Sequence, residues 1–374
     1  MSEQQQRDIQ WMREAIRAAC GGQRIAPPNP AVGCVLVKDG KELARGFTQR
    51  PGGRHAEIDA IETARANAVD LRGATAYVTL EPCSHYGRTP PCALRLIDEG
   101  ISRVVVGTLD PNPLVAGRGC ELLRQAGLDV VVGVCEKEAI ESNIGFLTRM
   151  RTGKPWIRLK VAAGLDGRTA LLNGVSQWIT SAEARRDGHV QRSFAQGILT
   201  GIGTVLADDP QMNVRLDEDC PQPVKFILDT MARTPVSAKI LRGAPCTIYV
   251  SAAAPKDRVA ALEGVGAEVK AMPSDAEGRL DLQAVIRDIG SREINVLHVE
   301  AGAGLNGGLL QADLVDELIY YVAPLLMGEG RGAAQLPRFE QMDQILRWNF
   351  HCVDRIGPDV RLVLRKHARS GAND

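Results

Sequence analysis

EPCSHYGRTPPC, residues 81–92, sets Cys83 and Cys92 eight residues apart, each directly after a proline, with His85 two places beyond the first. Three readings compete for the cysteines: a disulfide, a metal clamp, or two unrelated buried thiols. The chain holds nine cysteines, an odd number scattered over 374 residues. That usage suits a reducing compartment, and MSEQQQRDIQ lacks the apolar core of a signal peptide. A cytoplasmic protein is expected, and the disulfide becomes the weakest reading. PCALRL makes Cys92 a first-turn helix residue, where the macrodipole favours the thiolate that binds metal. Cys83 follows a strand exit. The spacing by itself does not decide, because cysteines at such a separation are commonly unrelated.

The upstream segment RHAEIDA, residues 54–60, decides for a metal. His55 and Glu57 stand at a helix start, and His-x-Glu followed about 25 residues later by Pro-Cys is the signature of zinc deaminases. One imidazole and two thiolates hold the ion and leave a fourth position for water, whose pKa the metal lowers. In those enzymes the glutamate is no ligand; beside that water it can take a proton and pass it to a ring nitrogen and departing ammonia, the part Glu57 would play. The signature has two residues between its cysteines, whereas here there are eight, with Pro82, Pro90 and Pro91 to stiffen the longer loop. His85 competes for the third ligand position. His55 is favoured for its helix context and for Glu57 beside it. His85 then reads as a solvent-facing loop residue or a substrate contact on the loop rim.

Around these motifs the chain alternates strands and helices. DIQWMREAIRAAC predicts an amphipathic helix with Ile9, Met12, Ile16 and Ala19 on one face. AVGCVLV and ELARGF predict a hairpin through Asp39-Gly40. The helix AEIDAIETARANA, the strand ATAYVTL, the helix CALRLIDEG and the strand SRVVVGTL follow, then the helix GRGCELLRQAG and the strand LDVVVGV. Uninterrupted apolar runs such as VVVG predict strands buried on both faces of a mostly parallel sheet. EKEAIESNIGFLTRM predicts one helix, and the basic Gly/Pro stretch RTGKP at 151–155 places a domain boundary there, giving 1–150 and 151–374. Alternation restarts in WIRLKVAAGLDG, SAEARRDGHVQRSF, AQGILTGIGTV, VKFILDT, PCTIYVS, INVLHVEAG and LIYYVAPLLMG. The expectation is a second α/β domain, in which LIYYVAPLLMG offers an apolar surface for a homo-oligomer.

HAE, EPCSHYGRTPPC and NPAVGCVLVKDG together resemble the bifunctional deaminase-reductases of riboflavin biosynthesis. TPPC with the eight-residue spacing separates that family from cytidine and tRNA-adenosine deaminases. The resemblance runs on through DPNPLVAGRG, KVAAGLDGRTA, SQWITSAEARRD, LTGIGTVLADDP and VEAGAGLNGGLL, and so spans essentially the whole chain. It implies an α/β protein: a cytidine-deaminase-like three-layer α/β domain, then a dihydrofolate-reductase-like α/β domain that uses NADPH. The first removes an exocyclic amine from a pyrimidinone ribosylamine 5′-phosphate, and the second reduces the ribosyl group of the product to ribityl. His55, Cys83 and Cys92 would bind Zn2+, Glu57 would shuttle protons, and Asn29 would face the substrate unless it serves only as a turn-former before Pro30.

GAGLNG, residues 302–307, fits G-x-G-x-x-G but lies too late in its domain for a first βαβ unit. What it predicts is a strand, a glycine loop and a short helix whose backbone amides receive a cofactor phosphate. Gly307 and Gly308 are individually credible as packing glycines. The resemblance places Ala162, Trp178, Thr204, Asp208 and Thr230 at NADPH, together with Gly302, Ala303, Gly304, Leu305, Asn306, Gly307 and Gly308. It places Ser176, Arg192, Arg215 and Glu300 at the substrate, the two arginines suiting a phosphate through paired hydrogen bonds. Trp178 equally fits a core or interface aromatic, and Arg233 is a guess for the cofactor's 2′-phosphate. Lys160 and Asp166 tempt as proton donors, but hydride transfer to a sugar imine needs little acid help.

Lysine plus arginine equals aspartate plus glutamate at 45 each. The balance argues against nucleic acid or an anionic membrane as the main partner and leaves small phosphorylated pyrimidines. No stretch approaches the roughly 18 apolar residues of a membrane span. Two other readings stand beside the bifunctional one: a reductase carrying a structural zinc module, and a nucleic-acid base deaminase. Glu57 opposes the first, since a structural zinc takes four protein ligands and has no use for a glutamate. The missing basic charge opposes the second.

Overall fold

The computed structural model describes residues 1–84, 90–112, 116–218 and 220–366; the competing ligand His85 lies outside them. The chain divides into two compact units, Met1–Gly153 and Lys154–Asp374.

In the first unit the order is α1 (Glu3–Ala19), β1 (Gly33–Lys38), β2 (Lys41–Phe47), α2 (Ala56–Ala66), β3 (Thr75–Leu80), α3 (Cys92–Asp98), β4 (Arg103–Thr108), α4 (Arg118–Gln125), β5 (Asp129–Val132), α5 (Glu136–Ser142) and α6 (Ile144–Thr152). The strands form one sheet in the order β2-β1-β3-β4-β5. Asp39 and Gly40 turn the β1–β2 hairpin with consecutive positive φ of 52° and 72°, the backbone that matches strand twist. Alternation along β1 splits the core in two. Cys34 and Leu36 pack with residues of α2, α3 and α4 on one face, while Val35 and Val37 pack with Met12 and Ala15 of α1 on the other. This is a three-layer sandwich.

Two expectations need correction here. The inner face of α1 is Asp8, Met12, Ala15 and Ala19, with Ile9 and Ile16 only half buried. Asp8 can be inside because Arg103 meets it at 2.7 Å and the Tyr77 hydroxyl donates to it at 2.9 Å. The expected single helix over 136–150 is broken at Asn143, whose φ of −127° leaves the helical region. The buried Asn143 amide accepts from Ala31 N–H at 2.7 Å and donates to Ala31 O at 2.9 Å, so the break pins the NPAVG segment.

The second unit contains β6 (Trp156–Gly164), β7 (Arg168–Leu171), α7 (Ala182–Ser193), β8 (Gly197–Gly201), α8 (Ile202–Asp208), β9 (Val224–Leu228), β10 (Cys246–Ser251), α9 (Lys256–Gly264), β11 (Glu268–Met272), α10 (Leu282–Ser291), β12 (Val296–Val299), α11 (Ala303–Gln311), β13 (Glu317–Ala323), β14 (Gly330–Gly332), β15 (Trp348–Ile356) and β16 (Asp359–Lys366). Nine strands make one sheet, β11-β10-β9-β8-β12-β6-β13-β16-β15, and β7 pairs with β14 as a separate ribbon. Strands β11 through β13 in that order run parallel, and β16 and β15 close the edge as an antiparallel hairpin. Both faces are buried: Leu199, Phe226 and Tyr249 enter one core and Ile198, Ile227 and Ile248 the other. LIYYVA is the interior strand β13, paired on both sides, with β6 and β16.

Candidate active sites

In the first unit, three chain segments converge beside the carboxyl end of β3. His55 is the N-cap of α2, its extended backbone (φ −72°, ψ 162°) setting the ring ahead of the first turn. Cys83 follows β3 by three residues, and Cys92 opens α3 behind Pro91. The Cys92 backbone N–H donates to Cys83 Sγ at 3.3 Å, giving a first-turn amide the partner that helix geometry denies it. His55 Nδ1 stands 3.3 Å from Cys92 Sγ and 3.7 Å from Cys83 Sγ, and the three donor atoms lie within 4.8 Å of one another. Zinc bonds of about 2.0–2.3 Å in a tetrahedron put neighbouring donors roughly 3.5–3.8 Å apart, so the donor set fits zinc in kind and in spacing.

Glu57, in the first turn of α2, retains only 4% of its surface. Burial, together with the negative charge of Cys83, pushes its carboxyl up to about 7. Hydrogen bonds from Cys92 and His55 hold Cys83 down to about 4 despite its burial, while the bond to Cys83 raises Cys92 and takes His55 up to about 9. A half-protonated carboxyl beside the Cys83 thiolate is equipped to carry a proton near neutral pH. Asn29 is half buried, its N–H bonded to Ala26 O at 3.0 Å, in the segment that Asn143 fixes. Asn143 itself escaped sequence reasoning, because one asparagine inside a helical pattern gives no sign of a distant partner.

In the second unit, β12 runs into α11 through Glu300 and Ala301. Gly302 is the N-cap and residues 303–308 already lie in the helix, so GAGLNG is a helix start more than a loop. No side chain caps α11, which leaves its first amides available to an anion. Thr204 Oγ1 on α8 lies 4.0 Å from where a Cβ of Gly302 would stand. Gly307 is a packing glycine: a Cβ there would lie 1.9 Å from Gln335 O. Asn306 holds the same segment by donating to Ala333 O at 2.8 Å. Beside α11 opens a cavity of about 890 Å³, lined by Thr230, Gly304, Leu305 and Gly308 together with Arg279 and Leu282. Ala162 on β6, Trp178, and Thr204 and Asp208 on α8 are not among the residues lining it. Trp178 is 69% exposed under the Arg185 guanidinium, which lies 4.4 Å from the ring centre, so it is no core aromatic.

The substrate residues divide. Arg192, 8% exposed, donates from Nε at 3.0 Å and Nη2 at 2.6 Å to one oxygen of Glu300, and from Nη1 to Asn213 O. Three of the five N–H groups of its guanidinium are thus engaged inside the protein. Arg215 is exposed, and its guanidinium bonds through Nη1 to Asn213 Oδ1 at 2.6 Å. Burial works against ionisation of Glu300, yet the charges of Arg192 and Lys160 carry it well below the usual carboxylate range. His298, fully buried, reaches the same Glu300 oxygen at 3.3 Å. His189 accepts the Arg215 N–H at 3.3 Å. Ser176 is half buried before Trp178, and Arg233 is exposed beyond Thr230. Asp166 accepts from Met327 and Gly328 N–H at 2.7 and 2.8 Å, which makes it the clasp of a turn.

Comparison with known proteins bears on both units. The family described as cytidine and deoxycytidylate deaminase zinc-binding region matches residues 5–108, and the RibD C-terminal domain matches residues 155–362. The riboflavin biosynthesis protein RibD of Escherichia coli K12 is 45% identical over 96% of this chain and 99% of its own length. That of Haemophilus influenzae is 42% identical over 97% and 98%. Among solved structures, Acinetobacter baumannii RibD superposes with a TM-score of 0.88 at 41% identity, covering 97% of this chain and 100% of that one. The Thermotoga maritima diaminohydroxyphosphoribosylaminopyrimidine deaminase/5-amino-6-(5-phosphoribosylamino)uracil reductase follows at 0.86 and 33%, covering 98% and 100%.

Proposed function

Because the chain belongs to the RibD family, the bifunctional deaminase-reductases of riboflavin biosynthesis, we propose the substrates and residue roles by which its two units act. The first unit deaminates a diaminopyrimidinone ribosylamine 5′-phosphate hydrolytically. The second reduces the ribosyl group of the product to ribityl with NADPH. The observation that carries the first assignment is the close triangle of His55 Nδ1, Cys83 Sγ and Cys92 Sγ with the buried Glu57 beside it.

His55, Cys83 and Cys92 would hold zinc, which would supply Lewis acidity toward a bound water and so lower its pKa. Glu57 takes one proton from the attacking water and delivers it to the ring nitrogen, then carries the remaining hydroxyl proton to the departing amine, so that water enters and ammonia leaves. Asn29 faces the pyrimidine. In the second unit the first amides of α11, from Gly302 to Leu305, meet a cofactor phosphate, and Thr230, Gly304, Leu305 and Gly308 line the cavity beside them. The cofactor supplies the hydride; the chain holds the two molecules face to face. Arg215 meets the substrate phosphate, and the Arg192–Glu300 pair shapes the wall behind it, with Ser176 on the substrate side and Ala162, Trp178, Thr204 and Asp208 on the nicotinamide side.

Supplying that pyrimidinone phosphate and NADPH, and following ammonia release and NADPH oxidation separately, tests the proposal. Both signals are expected, with about one zinc per chain. Oxidation of NADPH without ammonia, or protein free of zinc after anaerobic preparation, would defeat the deaminase assignment. The partners are small molecules; among the described residues no helix is long and apolar enough to cross a membrane.

A further inference from the structure

Glu81 opens the EPC motif and keeps only 4% of its surface exposed. Among the described residues, four backbone N–H groups point at its carboxylate. Gly119 and Cys120 donate to Oε1 at 2.8 and 3.2 Å, and Gly117 and Asp110 to Oε2 at 2.9 and 3.3 Å. All four belong to the stretch leading from β4 into α4. The N-cap of α4 is Gly117, which has φ 87° and no side chain to cap with. The second and third amides of α4 therefore go to Glu81, a carboxylate at the positive end of a helix.

The contact continues along the chain. Pro82 lies so close to α4 that a Cβ on Gly119 would stand 1.9 Å from Pro82 O. The next residue is Cys83, whose Sγ takes the Cys92 N–H at 3.3 Å and whose carbonyl takes the Ala93 N–H at 3.2 Å. Backbone contacts thus run without a gap from the start of α4, through Glu81, Pro82 and Cys83, to the start of α3.

We infer that Glu81 is a positioning residue for the metal site. Bound on both oxygens to amides that cannot swing, it fixes where β3 ends and so where Cys83 Sγ stands relative to His55. The inference rests on the reading of His55, Cys83 and Cys92 as zinc ligands. Without the carboxylate, Cys83 keeps its bonds to α3 but loses its tie to α4. Loss of an outer partner of this kind weakens metal binding by about 10–100-fold.

The test uses full-length, zinc-loaded protein with Glu81→Gln and Glu81→Ala. Release of zinc to a chromogenic chelator is timed well below the melting temperature, and the reductase rate of each sample shows that the remainder of the chain is folded. Glu81→Ala is expected to release zinc about 10–100-fold faster. Glu81→Gln should fall between, since its carbonyl still accepts from two of the four amides, and it serves alone if the alanine variant does not fold. Release at the wild-type rate from Glu81→Gln, even with a lowered melting temperature, would reduce Glu81 to a helix cap and overturn the inference. Wild-type protein that takes up no zinc would remove the ligand reading itself, a distinguishable outcome.

Discussion

Arg192 and Glu300, 108 residues apart, form a largely buried pair in which one carboxylate oxygen receives both Nε and Nη2, at 3.0 and 2.6 Å. The Glu300→Leu variant strands the guanidinium without a counter-charge. Breaking a buried pair from one side costs about 3–5 kcal/mol. Thermal denaturation should show the second unit melting earlier. NADPH oxidation should be lost while ammonia release persists at the wild-type rate.

Glu57→Gln keeps the shape of the side chain and removes its capacity to carry a proton. Ammonia release is expected to fall by about 10²–10⁴-fold, the range general acid–base groups contribute. Metal analysis of the same sample should still find the zinc, because Glu57 is outside the donor triangle. Loss of zinc in this variant would mean that the site is misassigned.

The three-layer frame of the first unit is legible because period and punctuation agree there: Asp39-Gly40 turns a hairpin, and VVVG runs as a buried strand. His55 and Glu57 are legible for a similar reason, since two residues of one helix turn keep their spacing in space. That Arg192 pairs with Glu300 is not legible, because nothing local announces a partner 108 residues away. The role of Glu81 is hidden in the same way, its four partners lying 29 to 39 residues onward. The β15–β16 hairpin gives a weak pattern for another cause. Its register shifts between Phe350 and Cys352, which breaks the two-residue alternation by which a strand is read.

Arg215 is an exposed arginine of the second site whose Nη1 bonds Asn213 Oδ1. Arg215→Ala should raise the reductase KM for its phosphorylated substrate about 10-fold or more, the loss of a charge-assisted hydrogen bond being about 1.5–3 kcal/mol. Initial rates of ammonia release should not change. An equal loss in both reactions would contradict two separate sites.

His189 is partly buried, and its ring nitrogen accepts the Arg215 N–H at 3.3 Å. Burial first, then the charges of Arg192 and Arg215, push it down to about 4 from an ordinary 6.5. Below pH 6.5 the unfolded chain takes up a proton that the folded one refuses. The stability His189 contributes is therefore complete above 6.5 and lost as pH falls toward 4. Thermal melts of wild type and His189→Gln between those limits should show the wild type losing stability more steeply, and parallel curves would refute the assignment.

Gly304 and Gly307 sit three residues apart on α11 yet face different surroundings. A Cβ on Gly304 meets nothing within 4 Å, and Gly304 lines the cavity; a Cβ on Gly307 meets Gln335 O at 1.9 Å. Alanine at 304 also removes helix-interior glycine entropy, so Gly304→Ala should melt at or slightly above wild type, by up to about 1 kcal/mol. Its added methyl intrudes on the cavity, and the KM for NADPH should rise. Gly307→Ala must push the 333–335 segment off α11, which breaks the Gln335 N–H bond to Ala303 O and the Asn306 bond to Ala333 O, both 2.8 Å. Destabilisation of about 1–3 kcal/mol follows from overpacking alone. Melting curves and cofactor titrations of the two variants should move in opposite order: binding impaired with the fold intact for Gly304→Ala, and the fold weakened first for Gly307→Ala. A Gly304→Ala protein that binds NADPH as tightly as wild type would show that the cofactor does not approach this face of α11.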